Sequence, residues 1–222
     1  MLHLVNSSLF GLNRRIEDLG EAGSYLGCKQ LADVACTAAY ASQHACMGFL
    51  HPSQAQFLWR RSMAVALCSA SHSPNDFEPS TFLVGLFEGL GLLWMTQRLP
   101  DRFLRRLHQL YFRGCESERA QHVVLRTTYC AKSAQILSTW KFPEVYVHVL
   151  EKLSRGQIDC PTTEAVHRGR KLAATLIDTE QVPETMGWCM PSALCALNRD
   201  EQDNRSHLLH RYSELSVLPK AA

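Results

Sequence analysis

The sequence predicts an all-α protein, a multi-helix bundle folded as a single compact unit. Three observations carry that expectation. Apolar residues recur three and four positions apart along most of the chain, the period of a helix with one buried face. Alternating runs of Val, Ile and Thr are absent, as are Asn-Gly and Asp-Gly turns, so the main strand and hairpin signals are missing. Hydrophobic residues make up 46% of the 222 residues and charged residues 20%, the balance of a folded rather than a disordered chain.

The elements follow in order. Ile16, Leu19, Tyr25 and Leu26 fit one short helix, and Leu31, Val34, Ala35 and Ala38 fit the next after a break at Gly27. Leu58 to Ala70 predicts a helix with Met63, Ala66, Leu67 and Ala70 inward, ended by the polar turn Ser71 to Asp76. Residues 80–97 predict one apolar helix. A membrane span is rejected there because Pro79 to Gln97 carries Glu88 at its centre, and an acidic residue at mid-bilayer costs roughly 2.5–3.5 kcal/mol. Leu99-Pro100-Asp101 starts a helix with Phe103, Leu104, Leu107, Leu110 and Tyr111 inward and Arg102, Arg105 and Arg106 toward solvent. One long helix is expected from Glu118 to Trp140. Pro143 opens the next, closed at Ser154-Arg155-Gly156, and Pro161 opens another to Asp178, since proline is tolerated in a first turn. Short helices are expected after Met190-Pro191 and from Ser206 to Leu215. The turns near 114–118 and 155–161 are the candidate boundaries between two lobes.

The formal net charge of +2 does not by itself imply nucleic acid or a membrane surface. Nine cysteines, an odd number, include no Cys-x-x-Cys pair, and Cys36, Cys68 and Cys130 stand among apolar residues. That usage points to free thiols in a reducing, cytoplasmic compartment. The N-terminus has no basic region followed by a long apolar run, so it is no secretory signal.

Five segments form an ordered set. They are Leu2 to Gly11, with Asn6, Ser7, Phe10 and Gly11; Ser24-Tyr25-Leu26-Gly27; Leu58 to Ala66, with Trp59 and Ser62; Gly85-Leu86 with Leu90-Gly91; and Ala134, Leu137, Trp140, Phe142 and Pro143. Together they resemble HDOD domains, the HD-related output domains of bacterial signalling proteins. The resemblance covers residues 1–155 and is loose over 156–222. It implies an HD-related helix bundle at 1–155 with a helical extension of the same unit. It also implies structural roles for Asn6, Ser7, Gly11, Trp59, Gly85, Gly91, Trp140 and Pro143. The chain begins inside the first motif, so the helices that usually precede it are expected to be missing.

The same resemblance sets expectations for the site. HD-type phosphohydrolases hold metal with His and Asp at positions where this chain has Arg61, Glu88, Gly89 and Tyr129. Ser133 stands where the family usually has glycine. A hydrolytic centre needs neutral His and ionised Asp converging on a cation, and without the cation no water is activated at neutral pH. The resemblance therefore implies no catalytic residue, no metal and no cofactor. Arg61 and Glu88 either pair in place of the metal or reach solvent separately at the pocket mouth.

Other clusters have plainer explanations. His207 and His210, with Asp203 and Glu214 a turn away, lie on a polar segment and fit a solvated face. His44, Cys46 and His51 match no ligand spacing, and Cys189 and Cys195 fit core or loop positions. Arg102, Arg105, Arg106, His108, Tyr111, Phe112 and Arg113 fit a solvated basic face over an apolar stripe, and nucleic acid would require reinforcement elsewhere. Gly85, Gly89 and Gly91 lack the Lys-Ser/Thr of a phosphate loop. The leading expectation is a non-catalytic regulatory module in signal transduction. It would act on protein partners, with a homodimer as one way to cover apolar surface left by missing helices. The alternatives are a sensor that binds a nucleotide or anion through Arg61, and a residual metal-dependent phosphohydrolase.

Overall fold

In the structure, a computed structural model, residues 6, 15–45, 50–73, 79–113, 117–177, 208 and 212 are described. Among them are nine helices and no strand: α1 (Leu19–Ala45), α2 (Pro52–Ser71), α3 (Thr81–Phe87), α4 (Gly89–Arg98), α5 (Asp101–Phe112), α6 (Ser117–Leu125), α7 (Tyr129–Thr139), α8 (Glu144–Ser154) and α9 (Pro161–Leu176). The all-α expectation holds. No described helix is long and apolar enough to cross a membrane.

The helix with the longest buried run, α2, is the centre of the bundle. Residues 57–59 and 61–69 are buried without interruption, so neighbours surround it on several sides. It packs along α9 and against α3, while α7 pairs with α8, α4 with α7, and α5 with α6. Its start is set by Pro52 and by a capping box: the His51 ring accepts from Ser53 N–H, and the Gln54 side chain accepts from His51 N–H. Two crossings need a missing side chain. A Cβ on Gly169 of α9 would stand 2.6 Å from Ser69 N, and one on Gly91 of α4 would stand 1.9 Å from the Tyr129 carbonyl oxygen.

Three sequence expectations need correction. The segment 80–97 is two helices, broken at Glu88. The predicted long helix from Glu118 to Trp140 is also two. Arg126 turns the chain with φ of 58°, and Thr128 caps α7 by accepting from Ala131 N–H at 3.2 Å. The helix expected from Leu58 begins earlier, at Pro52. The break at Gly27 is present, with φ of 75°. On α5, Leu104 and Leu107 are buried while Arg102, Arg105 and Arg106 are exposed, as the periodicity predicts.

Ser7, Gly11, Cys46, Cys189, Cys195, Asp203, His207, His210, Glu214 and the helix after Pro191 lie outside the described residues. Within the expected last helix, Leu208 and Tyr212 are helical and buried in the core. The α9 residues Val166, Leu172, Ala173 and Leu176 belong to the same core cluster as α2.

The α1–α3 contact contains a titratable link. Ser80, the N-cap of α3, donates from Oγ to Asp33 Oδ2 at 3.3 Å, and its N–H donates to the Tyr146 hydroxyl at 3.3 Å. Burial raises the Asp33 carboxyl to about 6, with the Ser80 bond and Lys29 pulling the other way. A raised carboxyl favours the fold below the unfolded value near 4 and loses that advantage as pH rises through 6. Asp33→Asn is therefore expected to raise Tm at pH 7.5 and leave it nearly unchanged at pH 4.5, measured by calorimetry at both values. At the α4–α7 crossing the obstacle is backbone. Gly91→Ala is expected to lower the unfolding free energy by about 3 kcal/mol, the upper end of overpacking. Gly156→Ala, in open space at φ of 70°, should lose only about 1 kcal/mol in the same urea titration.

Candidate functional site

Glu88 stands at the junction of α3 and α4 with 0% exposure. Leaving a carboxylate there without partners would be expensive. The structure supplies two guanidiniums. Arg61 of α2 donates from Nη1 to Glu88 Oε1 at 3.1 Å, and Arg170 of α9 donates from Nε to Glu88 Oε2 at 2.5 Å. Both carboxylate oxygens are thus occupied, one by each of two helices that flank the junction. Glu88 is at once the C-cap of α3 and the N-cap of α4, so its charge is met by the two arginines rather than by a helix end.

Arg170 reaches further. Its Nη1 donates to Glu118 Oε1 at 3.1 Å, and its Nη2 to Cys130 Sγ at 2.7 Å. Arg61 and Arg170 with Glu88 and Glu118 sum to zero charge. The Tyr129 ring lies beside both guanidiniums, each carbon Cζ 5.4 Å from its centroid, an arrangement that adds cation–π attraction. Burial raises the Tyr129 hydroxyl well above its ordinary range, with Arg170 opposing. Burial likewise pushes the Cys130 thiol up to about 12, with Arg170 again opposing. Cys130 is therefore a neutral thiol at pH 7 and a poor nucleophile.

The helix break that exposes Glu88 to these partners is held from a third element. Ser133 Oγ of α7 donates to the Glu88 carbonyl and accepts from Gly91 N–H, both at 2.8 Å. Gly91 N–H is one of the donors that a helix start leaves without an internal acceptor. Gly89 admits a second link. Tyr40 of α1 and Ser62 of α2 share a hydrogen bond of 2.8 Å between their hydroxyls, and a Cβ on Gly89 would lie 2.1 Å from Ser62 Oγ.

Of the four positions where the family resemblance puts metal ligands, Arg61, Glu88 and Tyr129 converge on this centre, and Gly89 makes room beside it. Trp59, Gly85 and Gly91 are buried. Asn6 lies apart, its side chain accepting from Ile16 N–H and donating to Ile16 O. Trp140 is 51% exposed at the end of α7, and Pro143 is the exposed N-cap of α8. His51 serves as the cap of α2.

Sequence reasoning missed Arg170, Glu118 and Cys130. Arg170 is 82 residues from Glu88, inside the run Arg168-Gly169-Arg170-Lys171 that looks like a solvated face. Gly169 beside it lets α9 close on α2, a role visible only in the fold. The residues present do not fit a divalent cation, because two guanidiniums already occupy its single central carboxylate. Among the described residues no group of three or more His, Cys, Asp and Glu side chains could hold a metal.

Removing one arginine would leave the carboxylate partly unpaired inside the core. Arg61→Ala and Arg170→Ala are each expected to lower the unfolding free energy by about 3–5 kcal/mol, while the apolar triple replacement Arg61→Met, Glu88→Leu and Arg170→Met should lose far less. Urea denaturation of the three variants measures the difference.

Comparison with known proteins bears on the fold and the family. The family model for the HDOD domain matches residues 1–154. Among solved structures, the chain is similar to an HDOD domain protein with unknown function from Geobacter sulfurreducens. The TM-score is 0.66 at 17% identity, over 98% of this chain and 80% of that one. That likeness shows a shared fold. No curated protein gives a significant match. With an HDOD model spanning well over half its length, the chain belongs to the HDOD domain family.

Proposed function

We propose that this HDOD domain is a non-catalytic regulatory module of a signalling pathway, acting through protein–protein contacts. The observation that carries the reading is the Arg61–Glu88–Arg170 bridge. Two of its members, Arg61 and Glu88, stand at positions where the family resemblance puts metal ligands, and its charges are satisfied within the protein. A cation placed there would meet two fixed positive charges, and a phosphate would meet arginines already engaged. The neutral Cys130 thiol offers no alternative nucleophile. A cytoplasmic setting fits the free thiols of Cys36, Cys68, Cys130 and Cys160, which an oxidising compartment would put at risk.

The test is a hydrolysis assay on the full chain with Mn²⁺ or Fe²⁺ against phosphomonoesters, nucleotides and cyclic dinucleotides, alongside metal analysis and a thermal scan with the same compounds. The expected outcome is no phosphate release, substoichiometric metal and no ligand-dependent shift in Tm. Metal-dependent phosphate release that disappears in Glu88→Gln would overturn the reading. A saturable shift with one nucleotide and no turnover would replace it with a ligand sensor.

A further inference from the structure

If the centre of the bundle is closed by its own salt bridges, recognition has to take place on the surface. One uneven charge along the chain lies in the segment that carries α5 and α6. Residues 98–126 contain seven arginines, no lysine and three acidic residues. That is a surplus of four in a chain whose total is +2, so the remainder is negative by two. On α5, Arg102, Arg105 and Arg106 are exposed opposite the buried Leu104 and Leu107. Arg113 extends the same face, since its N–H still bonds to the Gln109 carbonyl at 3.2 Å. At helical spacing the four arginines fall within about 100° of arc and span about 17 Å. Among the described residues no carboxylate pairs with any of the four. Glu118, an acidic residue of the same segment, is turned inward to Arg170.

We propose that this arginine face is the docking surface for an acidic protein partner, an inference that rests on the protein-contact reading above. Three features favour that occupant. Guanidinium forks match carboxylates, as they do phosphates, in two-point hydrogen bonds, whereas lysine, absent from the segment, does not. Arginine is enriched and lysine depleted at protein interfaces. Val123 on α6, the helix packed against α5, is an exposed apolar residue of the same helix pair. A nucleic acid would draw on phosphate contacts over a longer track, and here the rest of the chain is net negative.

The experiment uses the full chain and a fluorescein-labelled glutamate–alanine repeat peptide long enough to span α5, with single- and double-stranded DNA as competing probes, read by anisotropy. Two variants are compared: Arg102→Glu with Arg106→Glu, and a control of equal charge, Arg155→Glu with Lys171→Glu. All four positions are exposed, so unchanged circular dichroism and Tm verify folding. The expected result is peptide binding that weakens with salt and falls about tenfold or more in the α5 variant but not in the control. Absence of peptide binding, or equal loss in both variants, overturns the proposal. DNA binding tighter than peptide binding, lost in the α5 variant, assigns the face to nucleic acid instead. Phosphate release in the hydrolysis assay strikes the underlying reading. A silent hydrolysis assay with a failed peptide titration removes only the α5 surface.

Discussion

A buried carboxylate is the constraint on which the rest of this structure depends. Glu88 is fully buried at the point where α3 gives way to α4, and charge in a core persists only when paired and hydrogen-bonded. Its two oxygens fix Arg61 on α2 and Arg170 on α9, which ties the central helix and its main partner to the junction. The break itself is secured by Ser133 from α7. Five helices therefore meet at one glutamate. Small residues make the meeting geometrically feasible: Gly89 beside Ser62, Gly91 beneath Tyr129, and Gly169 against Ser69.

The same arrangement bears on function. A bridge of fixed charges joins the helices where they meet, and on the proposed reading it stands where a hydrolase would hold a cation. Such a bridge need not stabilise the fold more than apolar packing would. It does punish the loss of any one member, because each removal strands another charge. On the proposed reading the centre is a structural clamp, and partner contacts fall to surface features such as the arginines of α5.

The all-α class was legible because helical periodicity reports burial directly: Leu104 and Leu107 inward, Arg102, Arg105 and Arg106 outward. The two missed breaks have a common cause. Apolar spacing runs unbroken through Glu88 and nearly so through Arg126 to Thr128, while what stops each helix is largely elsewhere. Ser133 holds the first break from α7, and Gln121 accepts from Tyr129 N–H across the second at 2.8 Å. Thr128 was a readable cap, masked by the apolar positions on either side. At the site, the pairing of Arg61 with Glu88 could be anticipated once their segments were aligned with a known framework. Arg170 could not, because it lies beyond the family match, in a charge run typical of a surface. Only the fold shows that Gly169 brings that run against α2.

The most direct measurement is a crystal structure at atomic resolution, grown with excess Mn²⁺. The account predicts Arg61 and Arg170 each bound to one oxygen of Glu88, with no cation between the helices. A manganese ion coordinated by Glu88, with either guanidinium displaced toward solvent, would contradict it.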